Sequence, residues 1–136
     1  MQLALTPTLH WLVWTIAMTG LLWIPYIGYL LKTLGPVVAL MEGGGAEPDN
    51  HTWARRAKKA HYNAVENLVI FAPLTLIVCA LKLDSTVTAW AAMAYFFIRA
   101  AHFTIYTLGL PLARTVLFLG GVGCQGVMLA TILGWI

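Results

Sequence analysis

Four long apolar stretches, separated by shorter polar ones, set the pattern of this chain. Residues 1–31 carry no charged side chain, and their most apolar part is 9–31. Residues 60–81 are interrupted only by Glu66, residues 85–113 only by Arg99, and residues 115–136 by no charge at all. Each stretch is long enough for a helix that crosses a hydrocarbon layer of roughly 30 Å at about 1.5 Å per residue. The expected elements are helices over about 8–34, 54–81, 85–108 and 111–135, with one long loop at 35–53. Together they make residues 1–136 a single all-α integral membrane domain, an antiparallel bundle of four transmembrane helices.

Local signals refine these elements. Gly43-Gly44-Gly45 and Glu47-Pro48-Asp49-Asn50 make the long loop irregular. The other two links are short, so consecutive helices are antiparallel neighbours. Asp84 or Ser85 is placed to cap the third helix, and Pro111 fits the first turn of the fourth. Pro25 and Pro73 fall inside predicted helices and predict kinks. Gly126, Ala130 and Gly134 are four apart, a small-residue stripe that lets helices approach closely. The first stretch has too long an apolar core, and no Lys or Arg before it, for a cleaved signal peptide; it reads as the first helix.

Composition supports the membrane reading. The chain is 60% hydrophobic and 10% charged, against about 25% charged in soluble domains, and its mean hydropathy is +0.80. The tryptophans fall mostly near helix ends, as an interfacial belt requires; Trp23 lies deeper, where packing is expected. Cys79 and Cys124 both lie within predicted helices and offer neither a disulfide framework nor zinc spacing. No histidine spacing indicates a metal, and no basic patch interleaved with aromatics indicates nucleic acid.

Charge gives orientation. Lys32, Arg55, Arg56, Lys58, Lys59 and Arg114 flank one side of the four helices, and only Lys82 flanks the side of the termini. The basic side is expected to be cytoplasmic, so loop 35–53 is cytoplasmic and both termini periplasmic. Asn63 and Glu66 then lie in the cytoplasmic half of the second helix. Arg99 is about 13 Å below the cytoplasmic end of the third by helical rise, with His102 and Tyr106 nearer the surface. These three follow i, i+3, i+7 spacing and share a face. Arg114 opens the fourth helix. A polar cluster drawn from three helices and open to the cytoplasm is the expected result. An intramembrane carboxylate costs roughly 2.5–3.5 kcal/mol on insertion scales unless partnered; Arg99 is the expected partner of Glu66. Lys58 and Lys59 read first as interfacial side chains that snorkel.

The string Arg55-Arg56-Ala57-Lys58-Lys59-Ala60-His61-Tyr62-Asn63-Ala64-Val65-Glu66 resembles the signature of the MAPEG family, membrane-associated proteins in eicosanoid and glutathione metabolism. Lys59, Ala60, Asn63 and Glu66 occupy the signature positions. The resemblance continues through Arg99, His102, Tyr106, Pro111 and the Arg114-Thr115 pair. It implies a homotrimer of four-helix protomers in a bilayer, with glutathione as co-substrate, no metal, and lipophilic small molecules as acceptors. Lys59, Asn63, Glu66, Arg99, His102 and Tyr106 would bind glutathione. Arg114, with Thr115 beside it, would serve catalysis by favouring the thiolate, the reactive form of a thiol. The chain departs from the prostaglandin-synthase branch at Tyr62, Thr115 and Phe118, and by lacking basic residues after Lys32. It therefore resembles an outlying branch of bacterial type, placed in an inner membrane.

The implied activity is a glutathione-dependent transferase or peroxidase acting on lipophilic electrophiles. Two other classes stay open: a non-catalytic protein that binds a lipid or anionic metabolite in the same pocket, and a small four-helix transporter. Transporters of that kind use an embedded carboxylate for cations, whereas Arg99 and Arg114 beside Glu66 favour an anionic ligand.

Overall fold

The computed structural model describes residues 5–41, 48–49 and 52–136. The expected irregular stretch with Gly43-Gly44-Gly45, Glu47 and Asn50, together with His51, lies outside the described residues apart from Pro48 and Asp49. The described residues form six helices: α1 (Pro7–Leu21), α2 (Ile24–Leu34), α3 (Pro36–Met41), α4 (Trp53–Ala80), α5 (Thr86–Leu108) and α6 (Pro111–Ile132).

The starts of the helices follow from their sequence. Thr6, Thr52 and Ser85 each accept a hydrogen bond from a backbone N–H of the first turn of α1, α4 and α5. At α5 the cap is reciprocal, because Thr88 Oγ1 also accepts from the backbone N–H of Ser85 at 2.9 Å. Pro111 is the first residue of α6, where its missing N–H removes no helical bond. α5 ends at Gly109, which adopts φ 82°, a left-handed conformation that a side chain disfavours.

Several expectations differ from the structure. The kink expected at Pro25 is a full break: the first predicted helix divides into α1 and α2 at Leu22 and Trp23, though Pro7–Leu34 remains one candidate span. Pro25 has no N–H to give the carbonyl of Leu21, so the helix breaks there and restarts. Pro73, by contrast, lies inside an unbroken α4. Within the predicted loop, residues 36–41 form α3 behind Gly35, which has φ 80°. The small-residue stripe is shorter than expected, because α6 stops at Ile132 and Gly134 has φ 70° beyond it. Trp23, expected to pack, is 44% exposed at the helix break.

α4 and α5 form the central pair, and α1 and α6 each pack on both. The core between them holds Leu12, Phe71, Val78, Ala92, Tyr95 and Met128, all fully buried or nearly so. Phe71 and Tyr95 stack with ring centroids 3.7 Å apart. Buried threonines avoid unmet polarity by bonding within the bundle: Thr75 Oγ1 donates to the carbonyl of Phe71, and Thr8 and Thr88 bond each other at 3.0 Å between α1 and α5. Large apolar side chains such as Val69, Leu112, Val116 and Leu119 point outward and are more than half exposed. Apolar surface on that scale is unsuited to water. Among the described residues, three segments are long and apolar enough to cross a membrane: Pro7–Leu34, Trp53–Ala80 and Pro111–Ile132. α5, at 23 residues, has the length.

Candidate functional site

The first turns of α4 and α6 and the last turn of α5 meet at one end of the bundle. Arg56 ties two of them together: its Nε donates to the carbonyl of Thr107 at 2.8 Å, and its guanidinium covers the position where a side chain on Gly109 would stand. A short way down from this end is a cleft of about 130 Å³ lined by Asn63, His102, Tyr106, Arg114, Thr115 and Phe118. Five of these six are residues that sequence reasoning selected, and they come from three helices.

The cleft has a cationic, aromatic wall. Arg114 lies over the Tyr106 ring, with Cζ 4.5 Å from the centroid. Tyr106 in turn meets His102 edge to face, with centroids 5.6 Å apart. The i, i+4 spacing of His102 and Tyr106 on α5 makes that contact. Thr115 is exposed, and its hydroxyl donates to the carbonyl of Pro111 at 3.0 Å. In that rotamer its oxygen can accept a hydrogen bond from a ligand but has no proton to give.

Beneath the cleft is Arg99, only 1% exposed. Its Nη2 donates to Asn63 Oδ1 at 2.7 Å, a short charge-assisted bond. Its Nε and Nη1, the hydroxyl of Tyr95 and Nδ1 of His102 have no hydrogen-bond partner among the described residues. Gly121 on α6 packs against this guanidinium, where a Cβ would stand at the ordinary van der Waals distances of 3.5 Å from Arg99 Cδ and 3.8 Å from Nη1.

The expected pair of Glu66 with Arg99 does not form. Glu66 is exposed and makes no ion pair with Arg99, which takes Asn63 instead. Asn63 and Glu66 are neighbours on α4, but Glu66 falls on the side of the helix that turns out of the bundle while Asn63 turns toward α5. Lys59 is likewise exposed, and neither it nor Glu66 lines the cleft.

Two side chains that sequence reasoning passed over belong to this polar centre. Asn67 Nδ2 donates to the carbonyl of Asn63 at 2.9 Å, and Gln125 Nε2 donates to the carbonyl of Asn67 at 3.2 Å. Both amides are buried. The available signal was their polarity within apolar helices, since an amide in a membrane-spanning segment bonds a neighbouring helix. His61 bonds Tyr26 Oη through Nδ1 at 2.9 Å. Among the described residues no group of His, Cys, Asp and Glu side chains has the geometry to hold a metal, and both cysteines are free thiols.

These features define an all-helical membrane protein with a small polar cleft, two arginines and an aromatic wall at one end of its bundle. The chain belongs to the MAPEG family, which it matches over residues 4–134. Proteins of this family use glutathione, so membership supports a membrane-bound, glutathione-related function of transferase or peroxidase type at the level of the family. No curated protein and no solved structure matches the chain significantly.

Proposed function

We propose that this protein is a membrane-bound glutathione-dependent transferase or peroxidase that acts on lipophilic electrophiles. The supporting observation is the convergence of Asn63, His102, Tyr106 and Arg114 on one cleft, with Arg99 buried directly beneath Asn63. Glutathione carries two carboxylates and an ammonium, and arginines match carboxylates by paired hydrogen bonds. Arg114 would stand nearest the thiol, where its charge and the N-terminal end of α6 favour the thiolate. Thr115 would add one weaker contact. With a halide-bearing electrophile, the thiolate sulfur forms the new carbon–sulfur bond, the halide leaves with the bonding electrons, and the thiol proton passes to water.

The protomer alone is a poor container for a tripeptide. Its cleft of about 130 Å³ is below the roughly 300 Å³ at which small-molecule pockets begin. Glu66 and Lys59, the other expected glutathione contacts, face outward. Both facts support a site completed by a neighbouring copy, in a homotrimer of four-transmembrane-helix protomers. The proposed setting is a bacterial inner membrane with the cleft toward the cytoplasm.

Isothermal calorimetry with glutathione, alongside turnover of a generic aryl halide, tests the reading. Saturable binding and conjugation are expected. Binding without turnover makes the protein a ligand-binding member with no catalysis, and absence of binding rejects the glutathione site.

A further inference from the structure

Another hollow lies far from the cleft, at the opposite end of the bundle. It measures about 410 Å³ and lies between the first turns of α1 and α5, where Thr8, Trp11, Asp84, Ser85 and Trp90 line it. One end is polar and the rest apolar. Among the described residues lining it, Asp84 is the only charged one. Its Oδ1 accepts a long contact of 3.5 Å from Cys79 Sγ.

A second hollow of about 340 Å³ continues down the same pair of helices and is almost wholly apolar, with Trp14, Met18, Leu22 and Phe96 in its walls. Trp11 lines the first hollow, Phe96 lines the second, and their rings are 5.5 Å apart. The two hollows therefore follow one another along α1 and α5 as one interrupted groove, with the Trp11–Phe96 contact between them. Its lower end reaches Leu22 and Pro25, on either side of the break between α1 and α2. From Thr8 to Leu22 the groove is about 21 Å long by helical rise, longer than the roughly 15 Å of hydrocarbon in one leaflet.

We propose that this groove seats one ammonium-headed phospholipid, its amine on Asp84 beside the indoles of Trp11 and Trp90 and an acyl chain laid along α1 toward Leu22. The choice of headgroup follows from charge. The Asp84 carboxylate, the one charge among the described residues lining the hollow, attracts an ammonium, which also gains from the face of an aromatic ring, and Lys82, two residues away, does not line it. The polar end lies at the depth of a headgroup because α1 and α5 both begin there. The proposal is independent of the glutathione reading.

Native mass spectrometry of the full-length protein, extracted from equal parts phosphatidylethanolamine and phosphatidylglycerol, provides the test. Phosphatidylethanolamine should be retained in preference by roughly 2- to 5-fold, the range of a partly exposed charge pair. Asp84→Asn should bring the two lipids to parity, and Asp84→Glu should keep the preference. Ala89→Leu, which narrows the groove, should reduce retention of both lipids. Equal retention by the unaltered protein means only non-selective boundary lipid and overturns the proposal without any variant. Retention of neither lipid means that another copy of the chain covers the groove, and also overturns it. An unchanged preference in Asp84→Asn overturns the role given to the carboxylate.

Discussion

Arg99 and Arg114 are both arginines near one cleft, yet their surroundings assign them different work. Arg114 is partly exposed in the cleft wall against Tyr106, so it is available to a ligand. Replacing it by alanine should raise the thiol pKa of bound glutathione and abolish most conjugation, while calorimetry still detects part of the binding. Unchanged turnover in Arg114→Ala would move the chemistry elsewhere. Arg99 is held from within by Asn63. Asn63→Leu leaves a buried cation without that acceptor and should cost about 1.5–3 kcal/mol, the worth of a hydrogen bond to a charged group. A double-mutant cycle on thermal stability should therefore find strong coupling between Asn63 and Arg99 and little between Glu66 and Arg99. Strong coupling of Glu66 to Arg99 would mean that the pair forms after all, across protomers.

The connections between elements depend on two glycines with different duties. Gly109 ends α5 in the left-handed conformation, and a Cβ there would stand 3.2 Å from Arg56 Nε. Gly109→Ala should destabilise by about 1–2 kcal/mol through backbone strain, seen as a lower melting temperature. Gly121 has ordinary conformation, and its duty is packing. A methyl group at Gly121 meets Arg99 and Tyr95 at van der Waals distance, so Gly121→Ala should be tolerated. Gly121→Leu must displace Arg99 and should cost roughly 1–3 kcal/mol by overpacking. Equal melting temperatures for the two Gly121 variants would show that α5 and α6 separate there more freely than their packing implies.

For the molecule as a whole, the outward-facing Glu66 and the small cleft call for company. Light scattering with detergent subtraction should give the mass of three protomers in mild detergent; a monomer would count against a shared site. The lysines and arginines gathered at the end where α4 and α6 begin support the proposed orientation. A reporter fused after Ile136 should be silent in the cytoplasm, and cytoplasmic activity from that fusion would invert the topology.

Much of this protein was legible in its residue pattern. Long apolar stretches specify helices because no other open structure satisfies its own backbone in lipid, and caps such as Ser85 and Pro111 mark their starts through purely local bonds. Helical spacing put His102 and Tyr106 on one face, and depth counting put Asn63 and Arg114 at their level. Other features depended on rotation about each helix axis, which depth alone does not supply. Asn63 and Glu66 are both in the same half of α4, but packing against α5 turns one inward and leaves the other outside. Asn67 and Gln125 lie on different helices, far apart in the chain, and only the packing of α4 against α6 joins them. Pro25 and Pro73 look alike in sequence, yet one breaks its helix and the other does not. The sequence by itself determined the long helical segments, where they begin and which family the chain belongs to, but not α3 inside the loop or the full break between α1 and α2. Only the tertiary structure decided which side chain answers Arg99, because a hydrogen bond depends on ångström distances that periodicity does not fix.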